Sequence, residues 1–410
     1  MISGKSQCGL QYAVRRSSSA VGYCALSIKC GTRNEADYHS GIAHFCEHTI
    51  FKGTEKKSAA VINSCLDRLG GELNAFTTKE EIVFHATTLR EDVSKAASLL
   101  FELATMPVFP EEEIGVEKGV VIDEINSYKD SPAEDVYDKF EEMLFEGHPL
   151  SSPILGTAAS VKKITSNELR AFVKEKFLPS RMAFTLVADI DEKKMEKLVL
   201  TLADRFFSDC VEPAAVVEDR LFLPVARHFD RSVNKRNHQT NCVIGGLAPS
   251  LYDSKDRITA ILLSNIFGGP ANNSILNSVL REKNGWVYGV ECSYTQYSDC
   301  GIITICLGCD RENLDKCLKF IGKELLKLKT RPLSERKLKE AKKQLLGQLA
   351  ISSDNGEAQC LSMGKSLMAF GKVTTAAESG AMIEAVTAED IRILAQKLFD
   401  ENNLSKLVFY

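Results

Sequence analysis

Two stretches of the chain repeat one pattern of apolar and polar positions. Residues 161–177 read VKKITSNELRAFVKEKF, and residues 383–399 read IEAVTAEDIRILAQKLF. Each opens with a threonine followed three residues later by an acid, Thr165 with Glu168 and Thr387 with Asp390. That spacing predicts a capping-box helix start, and the apolar residues beyond it recur at helical spacing. Each helix leads into a strand, at residues 181–187 and 404–410. A second pair falls in nearly the same register. An alternating strand ending at Thr88 and Leu89 enters a helix through Arg90-Glu-Asp, and its counterpart, ending at Cys309, enters one through Asp310-Arg-Glu. Two matches in register predict two copies of one domain. The expected class is α+β: two homologous layered α/β domains, each an antiparallel sheet built of hairpins with helices on one face. They are expected at 1–211 and 231–410, joined by an irregular linker at 212–230 that carries Pro213 and Pro224.

Composition narrows the picture. The 410 residues exceed a usual single core, which agrees with two domains. A net charge of −4 and a pI near 6.1 leave no nucleic-acid footprint and no basic membrane-binding stretch. No run of 18 apolar residues is present to span a bilayer. The 13 cysteines are odd in number and scattered from Cys8 to Cys360, which points to reduced thiols and a cytoplasmic protein. The acid-poor start, with Arg15, Arg16 and three serines, loosely resembles an organelle presequence, but residues 10–14 and 22–30 read as folded strands.

The chemistry concentrates at residues 41–53, GIAHFCEHTIFKG, with Ser40 expected as N-cap and Gly53 as the stop. On a helix His44 and His48 lie about 40° apart with Glu47 beside both, while Ile42, Phe45, Cys46 and Thr49 form an apolar back. Two imidazoles one turn apart can hold one zinc ion, and a carboxylate between them can take a proton from its water. This is the inverted H-x-x-E-H order. Zinc then needs a third protein ligand. A second helix starts at Pro110-Glu-Glu-Glu, and on it Glu117 and Glu124 are seven apart and face the same way. They read either as a charged helix edge or as a ligand, Glu124, with Glu117 in support.

His44-Phe-Cys-Glu-His48, followed by Phe51-Lys-Gly-Thr54, with Glu124 on a later helix, resembles the pitrilysin/insulysin family of inverted zincins, which includes the mitochondrial processing peptidases. The resemblance runs from about Gly9 to the C-terminus and includes the duplication. It implies one Zn2+ per chain, held in the first domain by His44, His48 and Glu124, with Glu47 as general base and Glu117 as supporting acid. The second domain lacks the motif, so it is expected to bind no metal. The Cys46 thiol is expected on the core side without a catalytic role.

The segment 70–78, GGELNAFTT, reads alone as a glycine turn into a hairpin. The resemblance makes Asn74 and Ala75 part of an exposed edge to which a peptide adds as a strand. In the second domain, Arg281 and Tyr288 read alone as a salt-bridged and a packed residue. The resemblance makes them the pair that orients the substrate and steadies a developing oxyanion. The expected activity is therefore zinc-dependent endopeptidase cleavage of short or unfolded peptides. The alternatives are a non-catalytic peptide-binding or scaffold subunit of a processing complex and a zinc hydrolase with a non-peptide substrate. A chain of only two domains, with Arg281 and Tyr288 on the second, implies a homodimer with composite sites, or a heterodimer with a related subunit.

Overall fold

A computed structural model describes residues 1–208 and 228–410. The expected linker at 212–230 lies, up to residue 227, outside the described residues. The first sheet comprises β1 (Ile2–Lys5), β2 (Gln11–Arg16), β3 (Val21–Ile28), β4 (Glu72–Thr77), β5 (Ile82–Leu89) and β6 (Met182–Ala188). The second comprises β7 (Asp230–Val233), β8 (Thr240–Ala248), β9 (Val287–Gln296), β10 (Gly301–Cys309) and β11 (Ser405–Phe409). Their orders are β1-β2-β6-β3-β5-β4 and β7-β11-β8-β10-β9. Apart from β1, the two orders superpose strand for strand, so the duplication seen in the helix starts is also one of topology. The sheets are mixed rather than purely antiparallel, because β2 runs parallel to β6 and β7 parallel to β11.

The helices that position the candidate site are α1 (Ile42–Thr49), α2 (Ala59–Asp67), α3 (Val93–Thr105) and α4 (Glu111–Asp130). Alternation along the strands sends Leu26, Phe84 and Leu186 to one face of the first sheet, where they join Leu100 and Phe101 of α3 in the main core. The other face carries small residues, Ala13, Ala25 and Ala183, beside Val83 and Val187. It too is covered, by Cys360, Met363 and Leu367 of the helix Gly356–Phe370. Thr185 donates to the Cys360 carbonyl at 2.9 Å, and a Cβ on Gly364 of this helix would stand 2.6 Å from the Ser27 hydroxyl. Small residues on both sides are what let the helix seat this close.

The second sheet repeats the arrangement. Ile303, Ile305 and Leu307 face a core completed by Leu262, Leu263 and Ile321. Val243, Ile302 and Leu407 on the opposite face meet Val136, Phe140 and Leu144 of α5 (Pro132–Leu144). Buried Glu141 of α5 accepts from the Tyr297 hydroxyl at 2.9 Å, and Asp135 pairs with Lys235 at 2.7 Å. Helices therefore cover both faces of each sheet, not one as expected. The compact units are accordingly discontinuous in sequence: 127–151 belongs with the second sheet and 351–374 with the first.

The helix starts differ in detail from expectation. Thr387 and Asp390 form a complete capping box. Thr165 accepts from the Glu168 amide, but the Glu168 carboxylate turns to the backbone N–H and ring of His39, each 2.9 Å away.

Candidate metal centre

The eight-residue helix α1 has too few internal hydrogen bonds to stand alone, so its position depends on anchors. Ile42, Phe45 and Cys46 are fully buried on its apolar back, as the periodicity predicts. Burial pushes the Cys46 thiol well up, consistent with a core role. The expected N-cap, Ser40, does not cap it. Gly41 holds that position at φ +89°, where a Cβ would lie 2.7 Å from the Leu155 carbonyl. Glycine has no side chain to offer the free amides of the first turn. Buried Glu35 offers one instead, accepting from the N–H groups of Gly41 and Ala43 at 2.8 Å each. Burial pushes the Glu35 carboxyl up to about 8, against the opposing pull of those two amides and Lys79.

On the front of α1, His44 and His48 stack obliquely, with ring centroids 4.6 Å apart. Helix α4 brings Glu124 against both. Its Oε2 lies 3.5 Å from Nε2 of His48 and 3.8 Å from Nε2 of His44. These separations approach the roughly 3.3 Å edge of a tetrahedron with zinc–ligand bonds of about 2.0–2.1 Å. Glu124 Oε2 is buried without a hydrogen bond, which is costly for a carboxylate oxygen unless a cation meets it. Burial and the neighbouring His48 lower the His44 pKa to about 3, so the ring is neutral, as a ligand must be. Among the described residues, His44, His48 and Glu124 form the group of three able to hold a metal ion. Two imidazoles and one carboxylate are the donor set of a hydrolytic zinc site.

A further layer fixes these side chains. Nδ1 of His48 lies 2.9 Å from Glu117 Oε1, and Glu117 Oε2 pairs with Lys52 at 2.7 Å. The bonds from His48 and Lys52 outweigh burial and lower the Glu117 carboxyl. Burial alone would lower His48, but the Glu117 bond and the charges of Glu47, Glu124 and Glu117 raise it. With the Nδ1 proton committed to Glu117, the Nε2 lone pair is left for a metal. Glu47 sits beside His44, His48 and Glu124 without belonging to that group. Its carboxyl is raised mainly by burial, while His48 and the Thr77 hydroxyl, which donates at 3.0 Å, oppose the rise.

Thr77 ends β4, an edge strand of the first sheet, which among the described residues pairs with β5 alone. Asn74 and Ala75 lie within it, opposite His85 and Phe84; Asn74 is exposed and Ala75 half-buried against the core. The first unit thus holds His44, Glu47, His48, Glu117, Glu124, Asn74 and Ala75 together. Arg281 and Tyr288 belong to the second unit. Arg281 is exposed in a π-helical turn, and Tyr288, near the start of edge strand β9, donates to Asp310 at 2.9 Å. Sequence reasoning passed over Thr77, Lys52 and Glu35. Lys52 stands one helical turn beyond His48, a usable signal; nothing local marks the other two.

Comparisons with known proteins identify the family. Residues 12–158 match the model described as insulinase (peptidase family M16), and residues 163–345 match the one described as peptidase M16 inactive domain. An "uncharacterized zinc protease" of Rickettsia felis is 29% identical, across 93% of this chain and 91% of its own length. The "uncharacterized zinc protease YmxG" of Bacillus subtilis is also 29% identical, with the same coverage of 93% and 91%. Among solved structures, a protease from Helicobacter pylori matches with a TM-score of 0.90 at 20% identity, covering 100% of this chain and 98% of that one. A peptidase M16 inactive domain from Pseudomonas fluorescens matches with a TM-score of 0.89 at 18% identity, covering 100% and 97%. No helix among the described residues is long and apolar enough to cross a membrane. With both halves matched in order and the inverted motif assembled on α1, the chain belongs to the insulinase family, peptidase family M16.

Proposed function

We propose that the protein is a zinc-dependent endopeptidase acting on short or unfolded peptides. The observation that carries this reading is the convergence of His44 Nε2, His48 Nε2 and Glu124 Oε2, with Glu47 alongside but outside the set. These three residues would hold a zinc ion, which when bound would supply Lewis acidity to a scissile carbonyl and to an attacking water. Glu47 accepts the proton of that water and delivers it to the leaving amine. Its raised pKa suits both halves of that transfer, and the bond from Thr77 fixes which way the carboxylate points. Edge strand β4, with Asn74 and Ala75, takes the peptide backbone as an added strand, a mode that reads main chain rather than sequence.

Arg281 and Tyr288 are proposed to orient the substrate at the metal centre of a second subunit, in a homodimer. What supports this is their exposure and the absence, among the described residues, of any ion pair to Arg281. Quenched-peptide cleavage tests the reading. Turnover is expected with zinc, and it is expected to vanish with a chelator and in Glu47→Gln. Chelator-insensitive cleavage, or a zinc-loaded protein that binds peptides without cutting them, rejects it.

A further inference from the structure

We propose that Glu102, on α3, is a positioning residue for the metal centre, holding the turn that leaves α1 and so setting how closely α1 and α4 approach. This rests on the zinc-site reading above and adds a residue that, among the described residues, bonds to none of the metal-binding side chains. The donors come from two helices, His44 and His48 from α1 and Glu124 from α4, so their spacing depends on how these helices are tied. Beyond α1 the chain passes through a 3-10 turn (Ile50–Lys52) to Gly53, and there it is stitched to the segment that enters α4. The Val108 N–H donates to the Gly53 carbonyl at 3.1 Å, and the Glu55 N–H donates to the Met106 carbonyl at 3.0 Å. A Cβ on Gly53 would stand 3.1 Å from Cγ2 of Val108, so the two segments meet closely. Just beyond Val108, the Pro110 carbonyl accepts from the Ile114 N–H and opens α4.

Glu102 completes the turn that these backbone bonds begin. Its carboxylate is 4% exposed, accepts from the Thr54 hydroxyl at 2.6 Å and pairs with the Lys57 ammonium. The Thr54 side-chain oxygen in turn accepts from the N–H groups of Lys56 and Lys57 at 3.2 and 3.0 Å. The Thr54 N–H donates to the Lys57 carbonyl at 2.9 Å. Residues 54–57 are thus folded around one buried carboxylate, which is stable there only while its partners reach it. Such a knot placed elsewhere would serve the fold alone. Here it follows the helix that carries His48, and its stitches lead to the helix of Glu117 and Glu124. The short helix α1 therefore has a buried carboxylate at each end, Glu35 at its first turn and Glu102 at its exit. Metal donors must hold their places to within about 0.5 Å, so slack in this seam costs zinc affinity before it costs the fold.

Competition with a chromophoric chelator measures zinc affinity without turnover, at urea concentrations far below the unfolding midpoint of each variant. Glu102→Gln and Thr54→Val are each expected to bind zinc about threefold to tenfold more weakly, the worth of one hydrogen bond. Thr54→Ser, which keeps the hydroxyl, is expected to bind as the wild type does. If Glu102→Gln does not fold, the two Thr54 variants decide alone. Cobalt(II) in place of zinc reports ligand geometry through its visible absorption, which is expected to change in Glu102→Gln and Thr54→Val and not in Thr54→Ser. Leu100→Ala controls for lost stability alone, because Leu100 lies on the same helix and is fully buried in the main core. It is expected to lower the urea midpoint at least as far and to leave zinc affinity unchanged. Unchanged affinity and an unchanged cobalt spectrum in Glu102→Gln and Thr54→Val overturn the proposal, even where stability falls. An equal loss of affinity in Leu100→Ala overturns it too. A wild-type protein that binds no zinc overturns the zinc-site reading and this role with it.

Discussion

The hydroxyl of Thr77 donates a hydrogen bond to Glu47 at 3.0 Å, joining the last residue of edge strand β4 to the carboxylate on α1. The strand proposed to hold the peptide and the group proposed to move the proton are therefore fixed relative to each other. Removing this bond with Thr77→Val is expected to lower kcat by up to about tenfold, the worth of one hydrogen bond. Thr77→Ser, which keeps the hydroxyl, is expected to restore most of it. Steady-state kinetics with zinc analysis decides the matter. A fall in zinc content equal to the fall in kcat would show that Thr77 acts on the metal site instead.

Metal analysis separates ligands from base. About one zinc per chain is expected, lost in His44→Ala, His48→Ala and Glu124→Gln. Glu47→Gln is expected to retain zinc while kcat falls by about 10²–10⁴-fold, the usual contribution of a general base. Full zinc occupancy in Glu124→Gln would remove Glu124 from the ligand set.

Among the described residues, Lys52 reaches the candidate metal site through Glu117 and His48. Lys52→Met and Glu117→Gln are expected to weaken zinc binding by about 10–100-fold, the usual cost of losing support behind a histidine ligand. Competition with a chromophoric chelator measures it. Unchanged affinity in both variants would mean that His48 is oriented by its packing alone.

Glu35 predicts a pH dependence of stability. Its folded pKa is raised from 4.5 to about 8, so the folded protein holds this proton more tightly than the unfolded chain does. Its contribution is complete below about pH 4.5, declines as the pH rises and levels off above about 8. Urea unfolding at pH 5 and pH 8 is expected to show the wild type losing stability relative to Glu35→Gln as the pH rises. A parallel pH dependence in the two proteins would show that the carboxylate is already ionised across this range.

Subunit mixing tests the proposed homodimer. Glu47→Gln and Tyr288→Phe are each expected to be nearly inactive, and a mixture is expected to regain activity. In a mixed dimer one composite site inherits both defects and the other inherits neither. Proven subunit exchange without recovered activity would reject the shared site.

Much of the candidate site's geometry was legible in the chain because its spacing is local. One turn of helix sets the separation of His44, Glu47 and His48, and the same period marks Ile42, Phe45 and Cys46 as the buried back. Glu117 and Glu124 share a face for the same reason. The repeated helix starts foretold two related domains, and the two strand orders agree. What tertiary structure decided was the partner of each face and each charge. An amphipathic stripe states that α5 and the helix Gly356–Phe370 must bury one side, but not which sheet receives it. Both are seated on a sheet built by the other half of the chain. The capping of α1 by Glu35, across a left-handed glycine, escaped notice because a free helix amide accepts any carboxylate that folding brings near. Thr77 and Glu47, 30 residues apart, meet only because β4 packs beside α1. Sequence period specifies which side chains share a surface; only packing brings two such surfaces together.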